Sequence, residues 1–211
     1  MPLDAGSVRA RLPRHELIWL ESTGSTMTEA ARLAASGCPD GTVVGADAQT
    51  GGQGRHGRSW HSEKDTGLYV SIVLRPELQP EALSALTLAL GLATREAILD
   101  ATGIACDLKW PNDVLAGGKK CAGILAQGTR AAVIAGIGVN VNQECLPAEI
   151  ESTATSLRLV SGRPHSREDL LVQLLLSIGR FTTMLREEGS EPVIRLYSEV
   201  ARKGKDHAAG S

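Results

Sequence analysis

The sequence predicts an α+β fold, a mixed, largely antiparallel sheet flanked by helices. Three observations point to it. β-type runs crowd into residues 105–142, joined by turns too short for a crossover helix. A mid-chain stretch, 81–102, carries apolar residues at helical spacing around most of its circumference. The chain then closes on amphipathic helical segments. Its 211 residues suffice for one well-buried domain, and no repeat or linker divides them.

Residues 1–14, with Pro2, Gly6 and Pro13, read as a loose arm. HELIWLES supplies a first strand. Ser25 stands as N-cap to the helix TMTEAARLAAS, which Gly37 and Pro39 end. GTVVGADAQ is a buried strand that runs into a glycine-rich loop, and GLYVSIVLRP is the next strand. EALSALTLALGLATREAILDAT follows as a central helix. The β-type runs ACDLKWPNDVLA, CAGILAQG and AAVIAGIGVNVN come next, separated by the turn-like GGKK and GTR. A loop holding Pro147, Ser152 and Thr153 leads to an amphipathic helix over 166–188 and a final helix, EPVIRLYSEVARK. Residues 204–211 should fray.

Composition narrows the function. Hydrophobic content of 42% and charged content of 22% are those of a globular protein. With so few Trp, Tyr and Phe, the core must be built from Leu, Ile, Val and Ala. A net charge of −2 gives no reason to expect bulk binding to DNA or to a membrane. No apolar run suits a signal peptide or a membrane span. Cys38, Cys106, Cys121 and Cys145 lack metal-ligand spacing and read as reduced thiols, so the expected compartment is the cytoplasm.

Positive charge is local instead. In QTGGQGRHGRSW, residues 49–60, Gly52, Gly54 and Gly57 match the dinucleotide fingerprint G-x-G-x-x-G. That reading needs a strand before the loop, a helix opening on the third glycine and an acid about twenty residues on. The strand and an acid, Glu77, are there; the helix is not, because the strand LYVSIVL follows with no room for a crossover. No P-loop pattern occurs either. The glycines can still aim backbone N–H groups at an anion, with Arg55 and Arg58 adding charge. For the loop taken alone, a solvent-exposed hairpin carrying surface arginines is the default account.

Two further segments bear chemistry. In LKWPNDVLAGGKKCAGIL, Pro111 interrupts a ladder and brings Lys109, Asn112 and Asp113 into one short region, while Lys120 precedes a glycine that permits close approach. AGIGVNVN is an apolar strand with Gly136 and Gly138, ending in two asparagines.

In order and spacing, ESTGSTMTEA, QTGGQGRHGRSW, LYVSIVLRP, LKWPNDVL, KKCAGILAQG and AGIGVNVN together resemble the biotin protein ligase family. The resemblance is close over 16–145 and extends in outline to about residue 200. It implies a catalytic domain over 15–203 of the class II aminoacyl-tRNA synthetase-like type. The implied reaction uses biotin and ATP, with Mg²⁺, to form biotinyl-5′-AMP. It then transfers biotin to a lysine of a biotin carboxyl carrier protein, a subunit of acetyl-CoA carboxylase. By matching position, Lys120 and Arg55 are the implied catalytic residues. Ser25, Thr26, Gln49, Gln53, Gly54, Arg55, Lys120 and Gly123 would bind biotin. Arg55, Arg58, Trp60, Lys109, Asn112, Asp113, Lys120 and Asn140 would bind ATP and the adenylate. Mg²⁺ would be held through phosphates, with Asp113 the one candidate protein ligand.

The chain departs from the family pattern at Met27, where Asn is usual, and at Gln53, where Arg is usual. The resemblance carries the expectation that no winged helix of the regulatory type precedes the first motif and that the C-terminal β-barrel of many bacterial members is absent or truncated. The resemblance is thus to a monofunctional form, without DNA or membrane as partner and with a homodimer left open. Two alternatives stand beside it: a lipoate or octanoate ligase or transferase of the same superfamily, and a biotin-binding protein without ligase activity.

Overall fold

A computed structural model describes residues 1–75 and 82–208. Pro76 at the end of the predicted strand, Glu77, and the start of the central helix pattern lie outside the described residues. The elements run α1 (Ala5–Arg11), β1 (Leu17–Leu20), α2 (Thr26–Ala35), β2 (Val43–Ala46), β3 (Leu68–Leu74), α3 (Ala82–Thr102), β4 (Asp107–Lys109), β5 (Asp113–Ala116), β6 (Lys119–Gly128), β7 (Val133–Val139), α4 (Leu157–Ser161), α5 (Arg167–Glu188) and α6 (Ser190–Ala208). The seven strands form one sheet in the order β1-β2-β3-β7-β6-β5-β4. Only the β1–β2 pair is parallel, with α2 as its crossover; every other neighbouring pair is antiparallel. This is the α+β architecture expected from the sequence.

The two faces of the sheet are used differently, and strand alternation explains how. Leu68, Val70, Ile72 and Leu74 of β3, with Ala135, Ile137 and Val139 of β7, join the main core beneath α3 and α5. The opposite face carries a smaller cluster of Met27, Ala30 and Ala34 from α2 against Val44, Val73 and Ile134. β3 is therefore buried on both sides along its whole length. The mostly apolar α3 is covered in turn by α5 and α6, which accounts for its lack of a polar face.

The structure departs from the sequence expectations at four places. The arm is not loose: Asp4 accepts the Ser7 N–H as N-cap of α1, and Leu3, Val8 and Leu12 are buried in the core. ACDLKWPNDVLA is two strands rather than one, because the chain reverses at Trp110–Pro111. The short helix α4, capped by the Ser156 side chain and stopped by left-handed Gly162, carries too few residues for a periodic pattern. Finally, α6 continues to Ala208 where fraying was expected, and 209–211 lie outside the described residues.

Candidate active site

The register of the sheet gathers the separated motifs into one transverse row. Lys109 pairs with Asp113, Asp113 with Gly123, Gly123 with Gly138, and Gly138 with Tyr69. Directly paired residues project from the same face, so β4, β5, β6, β7 and β3 present this row together. The row beside it joins Ser71, Gly136 and Leu125. The glycines leave a floor without side chains. A Cβ on Gly138 would stand 2.5 Å from Trp60 Cε2, and one on Gly123 would stand 2.9 Å from Trp60 Cζ3. At Gly136 a Cβ would come within 2.5 Å of Met27 Sδ. The glycine spacing of AGIGVNVN thus makes room for Trp60 and Met27 above the sheet.

Lys120 reaches this face through an irregularity. Val114 pairs with Ala122 but Leu115 pairs with Lys120, so Cys121 is an extra residue in β6. Cys121 and Ala122 both enter the core. The bulge reverses the alternation and turns Lys120 towards Gly123; without it, Lys120 would share the core-facing side of Ala122. Its Nζ forms an ion pair with Asp113 Oδ1 at 2.7 Å and lies 5.3 Å from the Trp60 ring centre. Its backbone is also held on both sides: Lys120 donates its N–H to the Thr153 carbonyl and accepts from the Thr155 N–H, each at 2.9 Å.

Two connected spaces result. A narrow slot of about 50 Å³ is lined by Thr26, Met27, Gln49, Gln53, Gly54, Arg55, Trp60, Tyr69, Ser71, Asn112, Lys120, Gly123, Gly136 and Gly138, among others. A wider cleft of about 540 Å³ takes in Arg58, Lys109, Asp113 and Asn140, and shares Trp60 and Lys120 with the slot. Lys120 therefore stands between them.

The inner end of the slot is polar. Gln49 Oε1 accepts from the Thr26 N–H at 2.9 Å and the Thr26 hydroxyl at 3.1 Å, while the Ser71 and Thr26 hydroxyls are 2.8 Å apart. Gln49 Nε2 donates to Ser62 Oγ at 2.9 Å. Gln49, rather than the Ser25 side chain, satisfies the start of α2. Ser25 holds the N-cap position, but its hydroxyl is buried without a partner and lines neither space. Burial pushes the Tyr69 phenol up to about 12, so it stays neutral and donates to the Glu63 carbonyl at 3.0 Å.

At the other end, Arg55 Nη1 donates to Asn112 Oδ1 at 3.2 Å, and Asn112 Nδ2 donates to the Ile124 carbonyl at 3.0 Å. Arg55–Gly57 forms a short 3-10 turn with His56 at φ 58°. Exposed Gln53 reaches only Thr28 Oγ1, at 3.4 Å. Asn140 is buried and gives its amide to the Thr155 carbonyl, so it anchors the loop at the rim of the cleft.

Several lining residues escaped the sequence reading. Tyr69 and Ser71 sit in a run read only as an apolar strand, although a serine in a strand buried on both faces is itself a signal. Ile150, Ser152, Thr153 and Ala154 line the cleft from a loop that carries no motif. Among the described residues no three His, Cys, Asp or Glu side chains gather as for a metal ion, and no helix is long and apolar enough to cross a membrane. The four cysteines are free.

Comparison with known proteins matches residues 19–144 to the model of the biotin/lipoate A/B protein ligase family. The Bifunctional ligase/repressor BirA of Bacillus spizizenii is 38% identical over 192 residues, covering 88% of this chain and 59% of that protein. The Biotin--[acetyl-CoA-carboxylase] ligase of Mycobacterium tuberculosis is 39% identical over 166 residues, covering 74% of this chain and 62% of that one. The chain thus spans about three-fifths of the length of these relatives. The solved biotin protein ligase of Aquifex aeolicus in complex with biotin and ATP aligns with a TM-score of 0.79 at 38% identity, over 86% of this chain and 76% of its own.

Proposed function

The chain belongs to the biotin/lipoate A/B protein ligase family, and from that premise we propose that it is an ATP-dependent biotin ligase. The biotin carboxylate attacks the α-phosphorus of ATP and expels pyrophosphate, giving biotinyl-5′-AMP. The amine of an acceptor lysine then attacks the mixed anhydride, and AMP leaves with the electron pair of the broken C–O bond. One observation carries the reading: Lys120 is turned by a β-bulge to the junction of a polar-ended slot and a wider basic cleft. A cation there can neutralise charge as carboxylate and phosphate meet.

The slot supports biotin as the acid. Thr26, Gln49 and Ser71 offer hydroxyl and amide groups at its inner end, as a ureido ring requires. A lipoyl or octanoyl chain would leave these groups facing hydrocarbon, which such sites disfavour strongly. Arg55, Asn112, Gln53 and Gly54 would meet the carboxylate end, while Arg58, Lys109, Asp113 and Asn140 would border the nucleotide. Ser25 keeps a place in the reading through its unpartnered hydroxyl just behind Thr26. The cleft's one carboxylate, Asp113, fits a magnesium ion held mostly by ATP phosphates, whose charge that ion would offset. The acceptor proposed is a biotin carboxyl carrier protein in the cytoplasm.

Mass spectrometry of a carrier domain incubated with the chain, Mg-ATP and biotin, lipoate or octanoate tests the reading. A biotin-sized mass increase on one lysine is expected. Lipoyl or octanoyl addition without biotinylation would overturn the choice of acid, and biotinyl adenylate without transfer would leave a biotin-activating protein rather than a ligase.

A further inference from the structure

The loop that borders both spaces leaves the sheet at Asp47 and rejoins it at Gly67, and both ends meet one side chain from far along the chain. Arg167, the first residue of α5, is only 4% exposed. Its Nη1 donates to Asp47 Oδ1 and to the Gly67 carbonyl, both at 3.1 Å. Nη2 donates to the Met1 carbonyl at 2.6 Å and lies 3.9 Å from Asp65 Oδ1. The carboxylate of Asp47 also accepts the Leu3 N–H, and its carbonyl accepts the Asp65 N–H, each at 3.1 Å.

Stability alone is a poor reason for this arrangement. A cation at a helix N-terminus opposes the macrodipole, whereas Glu168 and Asp169 beside it follow the favoured sign. A buried ion pair is commonly no better for stability than packed apolar residues, because both charges lose water. What Arg167 supplies is geometry: its planar fork reaches acceptors on three separate segments, which a single ammonium could not satisfy in the same directions. Asp65, on the returning side, holds a φ of 66°, in the left-handed region that Asp enters more readily than most non-glycine residues. The consequence reaches the site directly. Gln49 follows Asp47 by two residues and Tyr69 follows Gly67 by two, and both line the slot.

We propose that Arg167 is a positioning residue that sets the base of the glycine loop and so the spacing of the slot walls. The proposal rests on the ligase reading only for what the loop encloses. Two readouts separate it from that reading and from a general structural role. In the unliganded protein, amide hydrogen exchange at Asp65 and Trp60 reports the loop; their N–H groups bond to Asp47 and Gly52 across it. The rate at which preformed biotinyl adenylate escapes reports its effect on ligand. Arg167→Met is compared with Leu185→Ala, which removes buried contacts of the same helix away from the loop.

Arg167→Met should speed exchange at both amides and escape of the adenylate by about tenfold or more. Leu185→Ala, even where it lowers the melting temperature as much, should leave both near wild type. Unchanged exchange in Arg167→Met, or equal acceleration in Leu185→Ala, would overturn the proposal. If Arg167→Met does not fold, Asp47→Asn takes its place with the same expected and overturning results. A wild-type chain that forms no biotinyl adenylate would sink the functional reading, while the exchange result would still judge the loop.

Discussion

At Lys120 a β-bulge carries a cation to the face of the sheet that bears both the slot and the cleft. Lys120→Ala should lower the rate of adenylate formation by about 10²–10³-fold, the usual loss when one group stabilising developing charge is removed. A pyrophosphate-release assay measures it, and wild-type turnover would take Lys120 out of the mechanism. Gly138→Ala probes the floor. Its Cβ would fall 2.5 Å from Trp60 Cε2 and 2.6 Å from Nε1, so the indole must leave. A cost of about 1–3 kcal/mol in chemical denaturation is expected, together with weaker biotin binding by calorimetry. Lys120, Arg55 and Asn112 stand in short motifs of glycine, proline or charge, Gln49 and Gly123 are picked out by the family resemblance, and all five line the slot. Tyr69 and Thr153 were not legible in the sequence: their roles come from strand register and from a loop that meets β6 only in three dimensions. For Ser25 the sequence suggests both an N-cap and a ligand hydroxyl, and its side chain makes no cap hydrogen bond and lies behind Thr26 without a partner.

The glycine loop is the element whose behaviour can be read most directly. Arg58 is exposed and Arg55 half-buried, and the 3-10 turn between them bonds chiefly within itself. Such a segment has little to hold it when the slot is empty. Trypsin should therefore cut after Arg55 and Arg58 readily in the free protein and far more slowly once biotin and ATP are both present. Equal cleavage under the two conditions would count against closure over ligand. The strands were easier to foresee than their pairing. Continuous apolar runs mark β3 and β7 plainly, yet neither they nor the GGKK turn signal the extra residue at Cys121, because a bulge changes pairing without changing composition. The N-terminal helix was hidden for a related reason. Pro2, Gly6 and Pro13 suggest irregular chain, and only docking of Val8 and Leu12 against the core makes Ala5–Arg11 a stable turn of helix.

For the whole molecule, fold class was legible and the division of labour between the sheet's faces was not, since both faces of β3 are apolar in the sequence. One buried titratable group couples the fold to pH. His165 sits below the ordinary value of 6.5, first because burial disfavours its charged form and then because Arg163 repels it. Its ring Nε2 lies 2.7 Å from Ser161 Oγ, and its backbone exchanges two hydrogen bonds with the Asn142 side chain. In the unfolded chain the same imidazole takes up a proton as pH falls through 6.5, while the folded one does so only at lower pH. Stability from this site is thus fully present above 6.5 and is lost on acidification. The melting temperature should fall less in His165→Gln than in wild type between about pH 7.5 and about pH 5.5. Parallel curves would exclude His165 as the source.

The scarcity of aromatic residues gives the molecule an optical vocabulary of its own. It has three indoles, and they occupy three unlike settings: Trp110 is 74% exposed, Trp19 packs half-buried against Gly45, and Trp60 lies on the glycine floor beneath the Lys120 ammonium. Trp110→Phe would remove the solvent-bathed emitter, and Trp19 lines neither the slot nor the cleft. What remains responsive is Trp60, whose indole must shift if a slot of about 50 Å³ is to admit a bicyclic acid. Emission from the Trp110→Phe protein should therefore change wavelength or intensity saturably as biotin is titrated, and Trp60→Phe should abolish the change. A spectrum that stays constant through saturation, with binding verified by calorimetry, would mean that the floor opens elsewhere. Gly123 and Gly138, in clearing the sheet for Trp60, set an indole beside Lys120 on the face where the proposed ligand would enter.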